Sequence, residues 1–524
     1  MIRGVNWVGD AVMTMPAIRA VRRALPEARI TLLVKPWVAG LFEKDPNIDE
    51  LMLYGEEYSG INGKLRLALD LRKKDFKTAV LLQNAFDAAL VSFLAGIPER
   101  IGYARDARGF LLTTPIPYHG EDRMMHHARY YLNLLEKAKV INDGGRPDAA
   151  WIYLTLEERE NARQAINALG LKLKRPVVGL NPGAAFGSAK RWPASRFREL
   201  ADKVIKELGG SVIVFGTGEE IPAAGEIVAG LEGAVSLAGK TTLRELAAFI
   251  SECDALVTND SGAMHVGYAV GTPLVALFGS TDPALTGPAD AVIKPGGNAV
   301  IKKTLPCSPC FKRECDRGAE SAECMEGITA REVFLSLKSV LPANKAVFLD
   351  RDGVLCRDAD YLSRWEDFYP FKEGLEKLPR LKAAGFKLVG VTNQSGINRG
   401  TIKEEFVKEV NGYFSREHGF DAFYYCPHHP DEACACRKPS PGLLLRARRE
   451  LGIDLKNSYM IGDKRSDVLA ARAVGAKAIL VGTEGEGAEA GADFAVRSLA
   501  AAVDHIIQSE EPGGREKQRE EDRG

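Results

Sequence analysis

Two carboxylates one residue apart, Asp350 and Asp352, stand directly after a short apolar run at residues 346–349. The run is typical of a buried parallel strand, and Gly353 then lets the backbone turn away without a side-chain clash. Such a pair can share a hard cation such as Mg²⁺ while one carboxylate attacks as a nucleophile and the other moves a proton. An Asp-x-Asp pair can also be an ordinary turn at a strand end, so the pair alone does not decide between these interpretations.

Other polar motifs follow later apolar runs in the same half of the chain and favour the chemical interpretation. They are Thr392, Asn393, Gln394 and Ser395, then Arg437 and Lys438, and then Asp463 and Lys464. Together with the Asp-x-Asp pair, this set resembles the haloacid-dehalogenase-like (HAD) phosphatases. The resemblance implies a Rossmann-like α/β phosphatase domain in residues 345–507.

A cluster of soft metal ligands lies just before the second of these motifs. Cys426, His428, Cys434 and Cys436 fall within eleven residues, in the pattern Cys-x-His-x5-Cys-x-Cys. Three thiolates and an imidazole so close together suit tetrahedral zinc, whereas a solvated loop with chance cysteines is the alternative. Because the four side chains leave no coordination position open, such a zinc ion would be structural and would fix the basic loop that follows.

The zinc loop narrows the resemblance to the D-glycero-D-manno-heptose 1,7-bisphosphate 7-phosphatases, with the related histidinol-phosphate phosphatases as an alternative. The resemblance implies that Asp350 is the nucleophile and Asp352 the general acid and base. It also implies an Mg²⁺ site made by Asp350, Asp352 and Asp463, which Asp467 braces from outside. The residues expected to contact substrate are Asp358, Tyr361, Thr392, Asn393, Gln394, Ser395, Arg437, Lys438 and Lys464.

The first half of the chain alternates apolar runs with helical periodicity, which predicts a parallel, doubly wound sheet. Gly9 and Asp10 stand where a first strand turns into a helix at residues 11–25, and residues 30–34 and 79–82 follow as buried strands. Only three residues precede Gly4, so we expect a first strand that is cut short, for which a misassigned start codon is one explanation.

A second alternation begins near residue 177 and carries two polar turns. In the first, small residues at 181–189 free backbone N–H groups to face an anion, and Lys190 and Arg191 add positive charge. In the second, Asp260, Ser261 and Gly262 follow a strand and begin a helix that includes His265. For Asp260 or Ser261, a simple helix N-cap is the alternative.

These motifs occur in the order and spacing of a known family. Residues 7–13, 93–100, 181–193 and 258–265 resemble the lipopolysaccharide heptosyltransferases, and most of all the heptosyltransferase II branch. The resemblance covers about residues 1–341 and implies a GT-B architecture, with an acceptor domain at 1–170 and an ADP-heptose-binding domain at 171–341. After a linker comes the HAD-like domain, and residues 508–524 are expected to be a disordered, charged tail.

Roles in the first half follow from this resemblance. Asp10 would be the general base that deprotonates the acceptor hydroxyl, since a transfer without a covalent intermediate needs one such base. Lys190 would neutralise the leaving diphosphate. Asp260, Ser261 and Gly262, with His265 one turn on, would hold heptose and phosphate at a helix N-terminus.

Composition limits the partners and the location. Lys+Arg and Asp+Glu both count 70 in 524 residues, so no global field favours nucleic acid. No run of eighteen apolar residues and no signal peptide is present, so we expect a cytoplasmic protein that contacts the inner membrane only peripherally, where a lipid A–core acceptor lies. The nine cysteines of such a protein are better explained as metal ligands or reduced thiols than as a disulfide framework.

Two remaining features stay open at this point. Cys307, Cys310, Cys315 and Cys324 suggest either a metal site or reduced structural thiols, because their spacing fits no familiar zinc module. His126 and His127 are expected on a helix at residues 124–135 rather than as a ligand pair, because adjacent residues do not share a helix face.

The sequence therefore predicts a bifunctional enzyme of lipopolysaccharide inner-core biosynthesis. One half would transfer heptose from ADP-L-glycero-D-manno-heptose to heptosyl-Kdo-lipid A, and the other would remove the 7-phosphate of D-glycero-D-manno-heptose 1,7-bisphosphate. Two alternatives remain: the second half is a histidinol-phosphate phosphatase, or the first half is an inactive docking module with a truncated strand.

Overall fold

The computed structural model describes residues 1–142, 149–169, 174–288, 294–318, 322–432 and 434–511. The chain forms two compact units, of which the first comprises Met1–Ile293 and Asn298–Val340 and the second comprises Lys294–Gly297 and Leu341–Gly524. The predicted boundary between residues 170 and 171 lies outside the described residues, and so does the predicted tail beyond residue 511.

The first sheet of the first unit is built from parallel strands joined by helices. The strands are β1 (Ile2–Arg3), β2 (Thr31–Val34), β3 (Glu50–Leu53), β4 (Thr78–Leu81), β5 (Glu99–Tyr103) and β6 (Thr114–Ile116). The helices are α1 (Val8–Ala24), α2 (Pro36–Ala39), α3 (Gly60–Lys73), α4 (Phe86–Leu94), α5 (Gly120–Arg123), α6 (His127–Lys137) and α7 (Leu156–Ala168). The strand order is β3-β2-β1-β4-β5-β6.

A second parallel sheet completes the first unit. Its strands are β7 (Val177–Asn181), β8 (Ser211–Val214), β9 (Ala234–Ser236), β10 (Ala255–Asn259), β11 (Leu274–Phe278) and β12 (Asn298–Lys302). Its helices are α8 (Ala194–Leu208), α9 (Ile221–Val228), α10 (Leu243–Ser251), α11 (Gly262–Ala269), α12 (Pro283–Thr286), α13 (Glu323–Glu326) and α14 (Ala330–Val340). The strand order is β12-β11-β10-β7-β8-β9.

The second unit contains the third parallel sheet. Its strands are β13 (Lys345–Leu349), β14 (Phe386–Asn393), β15 (Ala422–Cys426), β16 (Tyr459–Gly462), β17 (Lys477–Val481) and β18 (Phe494–Val496). Its helices are α15 (Lys372–Ala383), α16 (Glu404–His418), α17 (Gly442–Leu451), α18 (Arg465–Val474), α19 (Glu484–Ala490) and α20 (Leu499–Glu510). The strand order is β15-β14-β13-β16-β17-β18.

All three sheets share one topology. In each, the first strand of the sheet lies between the second and the fourth, which is the order 3-2-1-4-5-6 of a doubly wound fold. The loops that leave the first and fourth strands then diverge to opposite faces, and the crevice between them is where such sheets bind ligands. The structure thus points to three crevices, at the carboxyl ends of β1 and β4, of β7 and β10, and of β13 and β16.

The expected short first strand is present and is central in its sheet. β1 is two residues long, and Ile2 is in register with Leu32 on one side and with Val80 on the other. The N-terminal amine of Met1 donates a hydrogen bond to the Thr78 carbonyl at 2.9 Å. Pairing on both sides, together with the burial of Ile2, holds this brief strand in place.

Two predicted boundaries differ from the structure. The helix expected at residues 124–135 begins only at His127, because the Nδ1 atom of His126 accepts a hydrogen bond from the Ala128 N–H at 3.2 Å and caps α6. The predicted tail from residue 508 overlaps the end of α20, where the Glu510 carboxylate lies 2.6 Å from Lys345 Nζ. This ion pair lets the last helix continue three residues into the segment expected to be disordered.

Candidate active sites

Asp10 lies in the first turn of α1, immediately beyond the carboxyl end of β1. Its Oδ1 atom is 3.2 Å from Nδ1 of His127, and the side chains of Asp10 and His127 are 28% and 40% exposed. The Asp10 carboxylate therefore has a hydrogen-bond partner and is still exposed enough for a substrate to reach it. His127 is a contact that the sequence interpretation missed.

The first turns of α1 and α11 approach each other closely. A methyl group placed on Gly9 would lie 2.7 Å from the imidazole of His265, and one placed on Gly262 would lie 2.9 Å from Val8. Glycine at both positions therefore lets the two helices meet. This contact brings Asp10 of the first sheet near the predicted donor residues Gly262 and His265 of the second.

Lys190 and Asp260, which the sequence assigns to donor binding, contact each other. Lys190 Nζ is 2.5 Å from Asp260 Oδ2, and the Thr281 hydroxyl donates to the same oxygen at 2.6 Å. Asp260 and Lys190 follow strands β10 and β7, which are neighbours in the sheet. Thr281 was missed, although it follows β11 in a polar Ser-Thr-Asp turn at the same sheet edge.

The alternative that Asp260 or Ser261 merely caps α11 is not what the structure contains. Ser261 is the N-cap residue, but its side chain makes no cap hydrogen bond. Its hydroxyl instead lies 3.2 Å from both Asn181 Nδ2 and Thr258 Oγ1. The Ser261 side chain thus leaves the first backbone N–H groups of α11 uncapped, which is the arrangement that suits an anion.

His265 contributes a neutral imidazole to this site. The side chain is buried, and burial lowers the pKa of His265 to about 4. At pH 7 the ring therefore carries no charge and acts through hydrogen bonding and shape.

The predicted phosphatase residues surround one cavity in the second unit, with a volume of about 310 Å³. The loops that line it leave the adjacent strands β13, β14 and β16 and the segment before α17. The predicted residues that line it are Asp350, Asp352, Asp358, Tyr361, Thr392, Asn393, Gln394, Ser395, Arg437, Lys438 and Lys464.

A buried lysine sits between two buried carboxylates at the floor of this cavity. Lys438 Nζ is 3.0 Å from Asp350 Oδ2 and 2.6 Å from Asp467 Oδ1, and it donates to the Val391 carbonyl at 2.8 Å. Although burial lowers the pKa of Lys438, the two carboxylates raise it above its usual value overall. Burial raises the pKa of Asp350 to about 7, while Lys438 opposes that shift.

Asp350, Asp463 and Asp467 bring carboxylate oxygens within 4.8 Å of one another. Asp463 Oδ1 is buried and has no hydrogen-bond partner among the described residues, and burial raises the pKa of Asp463 to about 6. A cluster of carboxylates with an orphaned oxygen fits a hard divalent cation such as Mg²⁺, which prefers oxygen ligands. Gly353 has a φ of 91°, and a methyl group there would collide with the Asp463 carboxylate.

The Asp352 carboxylate is hydrogen-bonded to Arg351 and Gln394, and the role of Asp352 as an Mg²⁺ ligand stays a prediction. Its carboxylate accepts hydrogen bonds from Arg351 at 3.0 and 3.1 Å and from Gln394 Nε2 at 2.7 Å, and it is not among the converging carboxylates. The buried guanidinium of Arg351 needs an anion beside it, and Asp352 is the adjacent one. Asp467, predicted to brace the site from outside, pairs with Lys438 through Oδ1 and accepts the Lys464 N–H at 3.1 Å through Oδ2.

Several predicted substrate ligands also hold other site residues in place. The Asn393 amide accepts from the Lys438 N–H at 3.0 Å and donates to the Lys438 carbonyl at 3.1 Å. Gln394 donates to Thr392 Oγ1 at 2.8 Å as well as to Asp352. Lys464 Nζ lies 2.8 Å from Asp358 Oδ2 at the mouth of the cavity. Arg437, which lines the cavity, has a buried Nη1 with no hydrogen-bond partner among the described residues.

The predicted zinc ligands converge. Ligand atoms of Cys426, His428, Cys434 and Cys436 all lie within 4.8 Å of one another. The Sγ–Sγ separations of Cys426 from Cys434 and Cys436 are 3.5 and 3.3 Å, and His428 Nδ1 is 3.2 Å from Cys436 Sγ. The thiols are free, and separations of this size suit ligands around one small ion rather than a disulfide.

The other cysteine cluster differs. Cys307, Cys310, Cys315 and Cys324 are free thiols, and among the described residues they do not form a converging ligand group. The metal site and the reduced thiols both stay open interpretations of this cluster.

Comparison with known proteins identifies the families. Residues 64–319 match glycosyltransferase family 9 (heptosyltransferase), and residues 435–509 match the HAD-hydrolase-like family. Lipopolysaccharide heptosyltransferase 2 of Escherichia coli (strain K12) is 35% identical over 297 residues, which cover 55% of this chain and 84% of that protein. The chain belongs to the heptosyltransferase family. The solved structure of E. coli ADP-heptose LPS heptosyltransferase II aligns with a TM-score of 0.54 and 30% identity, over 64% of this chain and 96% of that one.

This heptosyltransferase is fused to a second enzyme family. D-glycero-beta-D-manno-heptose-1,7-bisphosphate 7-phosphatase of Helicobacter pylori (strain J99) is 49% identical over 138 residues, which cover 25% of this chain and 79% of that protein. The second unit is thus a member of the HAD-like phosphatases. The predicted fold class, a GT-B transferase followed by a HAD-like domain, is confirmed. Within the described residues, no helix combines the length and the apolar character needed to cross a membrane.

The close approach of Gly353 to Asp463 yields a prediction with a matched control. Gly353→Ala should lower phosphatase activity about 10²-fold, because the new methyl group displaces the Asp463 carboxylate. Gly385 also has a positive φ, of 84°, but nothing lies within 4 Å of a methyl group placed there. Gly385→Ala should therefore share the backbone penalty of about 1–3 kcal/mol and keep its activity. Equal activity losses in the two variants, measured by phosphate release, would refute the steric explanation.

Proposed function

We propose that this chain transfers heptose from ADP-L-glycero-D-manno-heptose to the heptosyl-Kdo-lipid A acceptor and also hydrolyses the 7-phosphate of D-glycero-D-manno-heptose 1,7-bisphosphate. The observation that carries the proposal is that both predicted residue sets assemble at the switch points of their sheets. The activities named for the E. coli and H. pylori relatives support the choice of heptose substrates.

In the transferase reaction, the acceptor hydroxyl would give its proton to Asp10 while its oxygen bonds to the anomeric carbon of the heptose. The bond from that carbon to the β-phosphate oxygen breaks, and negative charge develops on the departing ADP. Lys190 and the N–H groups at the start of α11, which the Ser261 side chain leaves uncapped, would stabilise that charge. Asp260, which pairs with Lys190 and Thr281, would hold the lysine in position until the diphosphate arrives.

In the phosphatase reaction, an Asp350 oxygen would attack phosphorus and displace the sugar oxygen, which takes a proton from Asp352. Water deprotonated by Asp352 then hydrolyses the aspartyl-phosphate and releases inorganic phosphate. Lys438 neutralises the transferred group, and Arg351 with Gln394 fixes the direction in which Asp352 faces. A Mg²⁺ ion held by Asp350 and Asp463, with Asp352 as the third predicted ligand and Asp467 bracing the site through Lys438, would supply further positive charge for the phosphoryl oxygens.

We assign the Cys426, His428, Cys434 and Cys436 cluster to structural Zn²⁺. The ligand set is complete with four protein side chains, so no position remains for substrate. Cys436 directly precedes Arg437 and Lys438, and an ion bound there would hold the backbone of the phosphate-binding loop. The acceptor would be met at the inner face of the cytoplasmic membrane, which fits a cytoplasmic enzyme with peripheral membrane contact.

The zinc assignment predicts one tightly held zinc ion per full-length chain. Cys434→Ser should remove the zinc and reduce phosphatase turnover while the nucleophile remains, because the loop that carries Lys438 loosens. Cys310→Ser is the matched control, since Cys310 is exposed and lies outside the converging group, and its zinc content should equal that of the wild type. Elemental analysis that finds no zinc would refute the assignment, and two zinc ions per chain would point to the Cys307–Cys324 cluster.

The two-site proposal predicts that each activity is lost separately. Asp10→Asn should lower heptosyl transfer ~10²–10⁴-fold by removing the base, and phosphatase turnover should not change. Asp350→Asn should lower phosphatase activity at least as much and leave transfer intact, because an amide is a far poorer nucleophile than a carboxylate.

Each variant is assayed with both substrates, and histidinol phosphate is tested beside the heptose bisphosphate. Either substitution lowering both reactions by similar factors in a folded chain would contradict two independent sites. A higher kcat/KM for histidinol phosphate would replace the heptose assignment of the second unit.

A further inference from the structure

His126 and His127 begin α6 and contact opposite sides of the transferase site. Nε2 of His126 is 2.9 Å from the Gly287 carbonyl oxygen, and Nδ1 of His127 is 3.2 Å from Asp10 Oδ1. Adjacent residues at the start of a helix point in different directions, and here each direction has a partner. Asp10 belongs to the first sheet, whereas Gly287 follows α12 of the second.

The hydrogen bonds fix where the protons lie. Nδ1 of His126 accepts the Ala128 N–H, so the proton of a neutral His126 ring must be on Nε2, from which it is donated to Gly287. Burial lowers the pKa of His126, which favours that neutral ring. An ionised Asp10 can only accept, so Nδ1 of His127 is the donor in the second contact.

Gly287 is close in sequence to a residue on the donor side of the site. Thr281, six residues earlier, donates to Asp260, and Asp260 pairs with Lys190. The hydrogen bond from His126 to Gly287 therefore ties the start of α6 to the segment that follows the donor-binding turn. Because His127 is the next residue, the same bond also fixes where His127 lies beside the predicted base Asp10.

We propose that His127 is a positioning residue that holds the Asp10 carboxylate in the orientation needed to take the acceptor proton, and that His126 fixes His127 against the donor half. The inference rests on the proposed transferase function and adds to it a residue for the same reaction. A carboxylate that is 28% exposed can rotate about its side-chain bonds, and one directed hydrogen bond restricts which oxygen faces the acceptor. His127 acts through Asp10 and need not touch substrate.

The first test uses the full-length chain and two substitutions of His127. His127→Leu removes the donor at similar volume, whereas His127→Asn keeps an amide N–H where Nδ1 of the histidine stands. His127→Leu should lower kcat of heptosyl transfer about 10-fold or more, short of the ~10²–10⁴-fold loss expected without the base. KM for ADP-heptose should stay within about twofold, because kcat carries the effect of a misoriented base. His127→Asn should recover most of the loss, and the unchanged KM for ADP-heptose reports that the transferase unit is intact.

A double-mutant cycle separates positioning from a merely structural role. If His127 acts only through Asp10, adding His127→Leu to Asp10→Asn should cause no further loss of transfer. A further loss equal to that seen in the wild-type background would overturn the proposal, and so would a His127→Asn variant as impaired as His127→Leu.

NMR spectra of the histidine side chains test the contact between His127 and Asp10 without any measurement of turnover. The chain has eight histidines, and ¹⁵N–¹H spectra can be assigned to His126 and His127 by the loss of each signal in its Asn variant. Asp10→Asn should shift the Nδ1 resonance of His127, while His126 should remain an Nε2–H tautomer. An unchanged His127 resonance would overturn the contact. Absence of heptosyl transfer by the wild-type chain would instead refute the proposed function.

Discussion

The reversal of strand order inside each sheet is the constraint on which every site in this chain depends. In a right-handed, doubly wound sheet the connections from the first and fourth strands must leave on opposite faces, and a crevice opens between them. Asp10 follows β1, Lys190 and Asp260 follow β7 and β10, and the Asp350 and Asp463 carboxylates follow β13 and β16. Three sheets with one topology thus create three places where charged groups can converge without interrupting a core.

Carboxylates that converge in a crevice need a positive charge beside them, and in each unit a lysine supplies it. Lys438 is 1% exposed and lies between Asp350 and Asp467, and Lys190 is 12% exposed beside Asp260. An unpaired ammonium at such depth would be costly, so the carboxylates keep the lysine charged. A phosphate group bound in the crevice would be a second anion beside the lysine. After the product leaves, the carboxylates still balance the positive charge of the lysine.

The sequence predicts the sheets and most of the site because those features are local. Apolar runs locate the strands, and the polar residues after them occupy the carboxyl edge whatever their side chains contact. Contacts that depend on side-chain orientation are not predicted in this way: Asp352 turns to Arg351, Asp467 pairs with Lys438, and Thr281 joins Asp260. Helical periodicity predicts α6 in this part of the chain. It does not predict that the helix begins at His127, because that depends on the His126 side chain accepting a backbone hydrogen bond.

The position of Lys438 shows how such orientation is fixed in the second unit. The Asn393 amide clamps both backbone groups of Lys438, and Asn393 is in register with Cys426, the last residue of β15. The N–H of Gln394 donates to the Cys426 carbonyl at 2.7 Å. The cysteine and histidine cluster therefore fixes the lysine loop by two routes, through the chain from Cys436 and across the sheet from Cys426. Because the same sheet edge also carries Thr392, a change in the cluster would reach both of the side chains predicted to bind phosphate. A ligand set remote from the predicted nucleophile is therefore connected to it through the backbone of this sheet edge.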